Sequence, residues 1–380
     1  MKYCKKCLST DLRPQSKFNK EGICLPCQFA EDETNYNSRV KLKILREKFR
    51  LSRVKQKNKG AYDCIVGVSG GKDSTRQAHW VRDRLGLRPL LVCCGYTPKQ
   101  MSKIGAKNLS NLISMGFDVI VATPAPKTAA ELTLESFVKF GNVSKSAEMS
   151  LFSTVPRLAI ELGVNTLFWG ENPALQVGDN AAQGSDEFDG NNLRKMNTVQ
   201  SGGYNWIKDK VSQPYLSEHY IYPSEDDFEK GKINIFYLGP VWDDWSNQEN
   251  ATYASLQGLT LRPNDELKTG DLSNASMLDE EFTNINMMLK YYKFGFGRAT
   301  DFVDEKIRSG IISRDEAIKI VKKYDGLCSD EIIERFCSYV NISISDFWNI
   351  ANKWTNQKLF KINKKGRPIP KFKVGFDYED

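Results

Sequence analysis

Several things this sequence lacks narrow its chemistry. Histidine occurs only at His79 and His219, and no Gly-x-Cys-x-Gly elbow surrounds any of the nine cysteines. Met1, Lys2 and Tyr3 stand ahead of Cys4, so that thiol is no N-terminal nucleophile. No glutaminase site is therefore encoded. No apolar run approaches the ~20 residues needed to cross a bilayer. The opening MKYCKKCLSTD has no apolar stretch of signal-peptide type, and the later thiols show no disulfide-framework spacing, so the reducing cytoplasm is the expected setting. Internal repeats and low-complexity tracts are also missing.

What is present reads as a soluble, globular chain of two or three units. The length is 380 residues, with 40% hydrophobic and 27% charged residues and a net charge of +7. Positive charge gathers between Arg39 and Lys59, where Glu47 is the single acid. Basic helices can bind phosphate or RNA, but Val40, Ile44, Phe49 and Val54 supply a rough apolar stripe, and a solvated connecting helix is the expectation. The tail KLFKINKKGRPIPKFK is basic and carries prolines, which predicts an extended arm rather than a helix.

Near the start, Cys4-Lys-Lys-Cys7 and Cys24-Leu-Pro-Cys27 form two C-x-x-C knuckles at zinc-ribbon spacing. Four thiolates complete a tetrahedral Zn²⁺ shell with no position left for water, so the expected ion is structural. The same ligands also suit iron or a redox dithiol. A segment this short has little core, and metal binding should supply much of its folding free energy.

From Tyr62 onward apolar strands alternate with helical stretches. YDCIVGV, RPLLVCC, FDVIVATP, VNTLFWG and INIFYLG read as strands, with DSTRQAHWVRDRLG, SKIGAKNLSNLISMG and FSTVPRLAIELG as helices between them. That rhythm predicts a parallel α/β sheet. The Gly-, Asn- and Asp-rich insertion after Trp169 should lie at the carboxyl edge, where such sheets bind ligands. Beyond about Leu261 the strands fade into helices. The expected units are a zinc ribbon (1–30), a basic helical linker (31–60), an α/β domain (61–260) and a helical C-terminal region with a basic tail (261–380).

The stretch GVSGGKDS, between the first strand and the next helix, is a candidate phosphate loop. A Walker loop is excluded, because Val66 stands at its first glycine position and Asp73 follows Lys72. Ser69-Gly-Gly-Lys-Asp-Ser74 instead resembles the PP-loop of the ATP pyrophosphatase superfamily (adenine nucleotide alpha hydrolase-like fold). Gly70 and Gly71 let the backbone approach a polyphosphate, and the following helix N-terminus adds donors. Ser69 and Ser74 contribute hydroxyls, Lys72 can neutralise charge in the transition state, and Asp73 is the nearest candidate ligand for Mg²⁺. The resemblance implies cleavage of the α–β bond of ATP.

Further stretches, CKKC…CLPC, FWGENPAL, YLGPVWDDWSNQEN and KFGFGRATDFVDEKIRSGIISRDEAIKIVKKYDG, resemble the N-acetyl sugar amidotransferases of bacterial lipopolysaccharide and nonulosonic-acid pathways. VCCGYTPKQ and the region Ala181 to Asp189 depart from that pattern. The resemblance implies that a sugar acetamido group becomes an acetamidino group. ATP would be consumed, and ammonia would come from a separate, histidine-pathway-like glutaminase; the substrate would be an N-acetyl sugar, nucleotide-linked. Glu171, just after a strand, is a candidate to bind Mg²⁺ or take a proton from ammonia, or else a turn carboxylate. Asn172 is a candidate to bond the acetamido group. Arg298 and Asp301 would hold a carboxylate or phosphate and a hydroxyl, or form a helix-entry ion pair. Trp242 and Trp245 would stack on sugar or base, or pack in the core, and His79 would pack or touch a phosphate edge. The rival class is a tRNA-modifying PP-loop enzyme, disfavoured because Cys93 and Cys94 are adjacent rather than spaced as C-x-x-C.

Overall fold

The computed structural model describes residues 1–14, 16–32, 38–55, 61–170, 184–196, 199, 204–208, 210, 218–242 and 246–379. The five expected strands all form: β1 (Cys64–Gly67), β2 (Pro89–Cys94), β3 (Val119–Ala122), β4 (Thr166–Trp169) and β5 (Asn234–Tyr237). They make one parallel sheet in the order β3-β2-β1-β4-β5. Chain direction across the sheet reverses between β1 and β4, the place where open α/β sheets leave a crevice at their carboxyl ends.

Period-two alternation divides the strands between two cores. Cys64, Val66, Leu91, Cys93 and Phe168 face one side with Ala78, Val81 and Leu112. Ile65, Leu90, Val92, Leu167, Ile235 and Tyr237 face the other with Val155 and Ala159. The first core is covered by α2 (Ser38–Lys55), α3 (Lys72–Asp83) and α4 (Lys103–Ser114), which follow the short ribbon helix α1 (Leu25–Asp32). The second is covered by α6 (Lys145–Leu162), on which α5 (Pro126–Phe140) packs. Then come α7 (Glu225–Gly231) and α8 (Asn247–Leu256), the latter lying along α3.

In α2 the buried stripe differs from the expected one. Leu45 is buried and Leu42 and Phe49 pack beside it, whereas Val40 and Ile44 are exposed. Positions 42, 45 and 49 follow i, i+3, i+7 and share one face, which the 40/44 pair does not. Lys41 and Lys48 pair with Glu187 and Asp186, so part of the helix's positive charge is spent inside the fold.

The C-terminal region comprises α9 (Thr283–Phe294), α10 (Arg298–Arg308), α11 (Arg314–Tyr324), α12 (Asp330–Val340) and α13 (Ile344–Trp354) around an aromatic core that includes Phe282, Phe336, Phe347 and Phe360. The basic tail is no free arm. β6 (Phe360–Ile362) and β7 (Pro368–Pro370) pair antiparallel, and Phe360, Phe372 and Val374 are buried in that same core. Apolar residues between the lysines decided this. The two chain ends meet: the Tyr3 amide donates to Asp377 Oδ1 at 2.8 Å, and the terminal amine donates to the Tyr378 carbonyl at 2.6 Å.

Candidate functional site

The loop Ser69–Ser74 leaves the carboxyl end of β1 and turns into α3. Gly70 has φ +84°, and a Cβ there would stand 2.8 Å from the Leu109 amide nitrogen of α4. Only glycine allows both the left-handed turn and that approach. Gly71 is the N-cap of α3 and no side chain caps this helix. The loop braces itself through hydroxyls: the Ser69 amide donates to Ser74 Oγ at 3.3 Å, and Ser74 Oγ donates to the Gly71 carbonyl at 3.2 Å. The first-turn amides of α3 thus belong to a preformed turn with positive helix-end potential.

Lys72 is buried, and its ammonium contacts Asp73 Oδ2. Asp73 Oδ1 accepts from Asn250 Nδ2 at 2.7 Å, while Asn250 Oδ1 accepts from Arg76 Nη1 at 2.6 Å. Both carboxylate oxygens of Asp73 are therefore engaged within the fold, which does not favour it as a ready Mg²⁺ ligand. Nothing in the stretch SNQEN marks Asn250 for this role, because fixing an acid on α3 from α8 is a tertiary event. Segment 278–281 crosses the start of α4 close by. The Ser102 amide donates to the Asp279 carbonyl at 3.1 Å, and a Cβ on Gly105 would meet Asp279 Cα at 2.6 Å. Burial pushes the Asp279 carboxyl up, and the positive charge of Lys72 opposes that shift.

The other candidates fall in different places. Glu171, Asn172 and Trp245 lie outside the described residues. Trp242 is 5% exposed and packs edge-on against Trp80, with the Arg76 guanidinium 5.7 Å from its ring. It supports α3 from behind rather than offering a stacking face. His79 bonds the Tyr253 hydroxyl at 3.0 Å, and burial lowers its pKa, so it packs as a neutral ring. Arg298 Nε lies 3.5 Å from the buried carboxylate of Asp271, which Arg262 also reaches at 3.2 Å. Asp301 sits between Arg13 and Lys290. Arg298 is thus paired with a carboxylate of the loop after Gly270, and Asp301 links α10 to α9 and to the N-terminal ribbon segment.

The four ribbon thiols, Cys4, Cys7, Cys24 and Cys27, are buried, with Sγ atoms all within 4.8 Å of one another. Amides of Lys6 and Ser9 donate to Cys4 and Cys7 Sγ at 3.4 Å each, and the Cys24 amide to Cys4 Sγ at 3.3 Å. Donors aimed at sulfur favour thiolates, and four converging thiolates fit a closed tetrahedral metal site. This ribbon docks on α10: Asp304 accepts from the Leu8 amide and the Ser9 hydroxyl at 2.7 Å each, and Ile307 packs against the cysteines.

Asp325, of the stretch YDG, accepts from the amides of Gly297 (2.8 Å), Ala299 (2.8 Å) and Thr300 (3.2 Å) and from the Thr300 hydroxyl (2.5 Å). A Cβ at Gly297 would stand 2.8 Å from its Oδ1. The GRATD and YDG stretches are thus two halves of one capping device, which their separation in sequence concealed.

Residues 278–373 match the family described as LPS biosynthesis protein WbpG-like, C-terminal domain, where LPS is lipopolysaccharide. The match contains GRATD and YDG and bears out the resemblance to lipopolysaccharide amidotransferases. No curated protein matches the chain. Among the described residues no helix is long and apolar enough to cross a membrane.

Proposed function

We propose that this chain is the ATP-consuming subunit of an amidotransferase that converts the acetamido group of an N-acetyl sugar into an acetamidino group during lipopolysaccharide biosynthesis. The observation that carries the reading is the Ser69–Ser74 loop. Two glycines, one of them left-handed, shape its turn without side chains, a buried lysine follows, and the α3 N-terminus opens at the β1/β4 reversal of the sheet. Those features suit a pyrophosphate leaving group. The acetamido oxygen attacks the α-phosphorus of ATP, the α–β bond breaks, and pyrophosphate leaves. Ammonia then adds to the imidate carbon and gives up one proton to solvent, and AMP leaves with the former acetamido oxygen, so that the amidine keeps the remaining hydrogens of the nitrogen. The chain's loop amides and Lys72 stabilise negative charge in the first step.

Ammonia reaches the chain from a separate glutaminase of the histidine-pathway kind, because the chain has no cysteine–histidine pair suited to glutamine hydrolysis. A Zn²⁺ ion held by Cys4, Cys7, Cys24 and Cys27 is structural, since four thiolates close its shell. Mg²⁺ would accompany the nucleotide, and contact with Asp73 would require that carboxylate to exchange Lys72 or Asn250 for the ion.

The test is incubation of the chain with ATP, ammonium chloride at alkaline pH and a panel of nucleotide-linked N-acetyl sugars. AMP, pyrophosphate and a sugar lighter by about one mass unit are expected, as replacement of oxygen by NH requires. Free glutamine should replace ammonia only when a cognate glutaminase is added. Release of ADP and phosphate, or no mass change with any acetamido sugar, sinks the reading.

A further inference from the structure

The lysine that follows the two glycines is not free for a phosphate: its ammonium contacts the carboxylate of its chain neighbour, Asp73. A nucleotide at the loop must therefore compete with Asp73 for Lys72. What decides that competition is how firmly the carboxylate is held from elsewhere.

Asn250 of α8 supplies that hold. It is fully buried, its Nδ2 donates to Asp73 Oδ1 at 2.7 Å, and its Oδ1 accepts from Arg76 Nη1 at 2.6 Å. The partners fix the orientation of the amide, because a guanidinium only donates and a carboxylate only accepts. The charge of Arg76 thus stands behind the amide and polarises it toward Asp73. Arg76 is itself braced by rings, its guanidinium lying 5.7 Å from that of Trp242 and 5.8 Å from that of Tyr253.

An apolar contact would join α3 and α8 without burying polar groups. This bridge ends instead on the acid that occupies Lys72. We infer that Asn250, with Arg76 behind it, is a positioning residue of the nucleotide site. It keeps the Asp73 carboxylate on the α8 side of the loop, so that nucleotide phosphate can replace Asp73 as the partner of Lys72 without the carboxylate following. Asn250 acts through Asp73 and not on the nucleotide. The inference rests on the nucleotide reading of the Ser69–Ser74 loop above.

The test is calorimetric titration of the full chain with the Mg²⁺ complex of α,β-methylene-ATP, whose α–β bridge resists cleavage, and with adenosine, which has no phosphate. Asn250→Leu removes both hydrogen bonds, adds no charge and leaves an apolar contact between α3 and α8. It should weaken binding of the analogue roughly tenfold and leave adenosine binding unchanged. Asn250→Ala serves in its place if the leucine variant does not fold. A double-mutant cycle supplies a readout that a purely structural role would not move. In a chain already carrying Asp73→Asn, Asn250→Leu should change analogue affinity by less than about twofold, because the acid through which Asn250 acts is gone. Unchanged analogue affinity in the folded variant, equal losses for the analogue and adenosine, or losses that add in the double variant would overturn the assignment. The two readings fail separately. Analogue binding that depends on Asn250 in a chain that converts no acetamido sugar would keep the positioning and sink the reaction; amidine formation by a chain whose analogue binding ignores Asn250 would do the reverse.

Discussion

The chain starts two helices with the same device and uses them in opposite ways. At α3, Gly70 and Gly71 lead into a helix that no side chain caps. At α10, Gly297 leads into a helix at whose start the amides of Gly297, Ala299 and Thr300 converge on Asp325. Helix N-terminal amides attract an anion in either case. At α10 the anion is the protein's own carboxylate, and the result is a rigid joint between α10 and α11. At α3 the amides stay directed at the sheet edge, where a substrate phosphate would meet them. The same physics thus yields architecture in one place and a candidate active site in the other.

Breaking each side of this comparison should have separable effects. The largest is expected at the ribbon that docks on α10. Cys24→Ser removes one of the four clustered thiols, and a structural zinc held there would contribute about 10 kcal/mol to the folding of so small a module. Hydrogen exchange should show residues 1–30 opening, and metal analysis of the unaltered chain should find zinc; an intact, metal-free ribbon would contradict the assignment. Next, Lys72→Ala should reduce AMP formation roughly 10²–10³-fold, the usual worth of one electrostatic donor. A chain that melts normally and turns over normally would remove the loop from the chemistry.

Asp325→Ala acts on the internal anion instead. It leaves three amides and a hydroxyl without their acceptor, and stability in urea should fall by about 3 kcal/mol. The folded fraction should keep its rate of AMP formation. Equal loss of rate and stability would mean that α10 is part of the active site after all.

A third helix start sharpens the contrast by pH. Glu280 accepts from the Phe282 amide at 2.8 Å and from Gln100 at 3.3 Å at the entrance to α9, and burial pushes its carboxyl up to about 8. Between the ordinary glutamate value and about 8 the folded chain holds a proton that the unfolded chain has released. This group's contribution to stability is therefore largest at acid pH and is lost as pH rises through about 8. Urea midpoints at weakly acid and alkaline pH should show the decline, about 1 kcal/mol or more, and Glu280→Gln should flatten it. The smallest effect is expected at Lys41→Ala, which breaks a partly exposed pair with Glu187 and should cost under about 0.5 kcal/mol.

The sequence by itself determined the elements whose signals are local. The five strands, the helices between them, the glycine turn before α3 and the paired cysteine knuckles all follow from periodicity, φ demands and ligand spacing within short windows. Tertiary structure alone decided where distant charges meet. Arginine and aspartate beside a glycine carry ligand-binding chemistry in many settings, but nothing within GRATD announces that Arg298 meets Asp271 or that Asp301 meets Arg13 and Lys290. Likewise nothing local marks Asn250 as the partner of Asp73 or Asp304 as the dock of the ribbon. A buried charge takes whichever partner the packed fold places within reach, so the pairing is not written in the order of residues along one element.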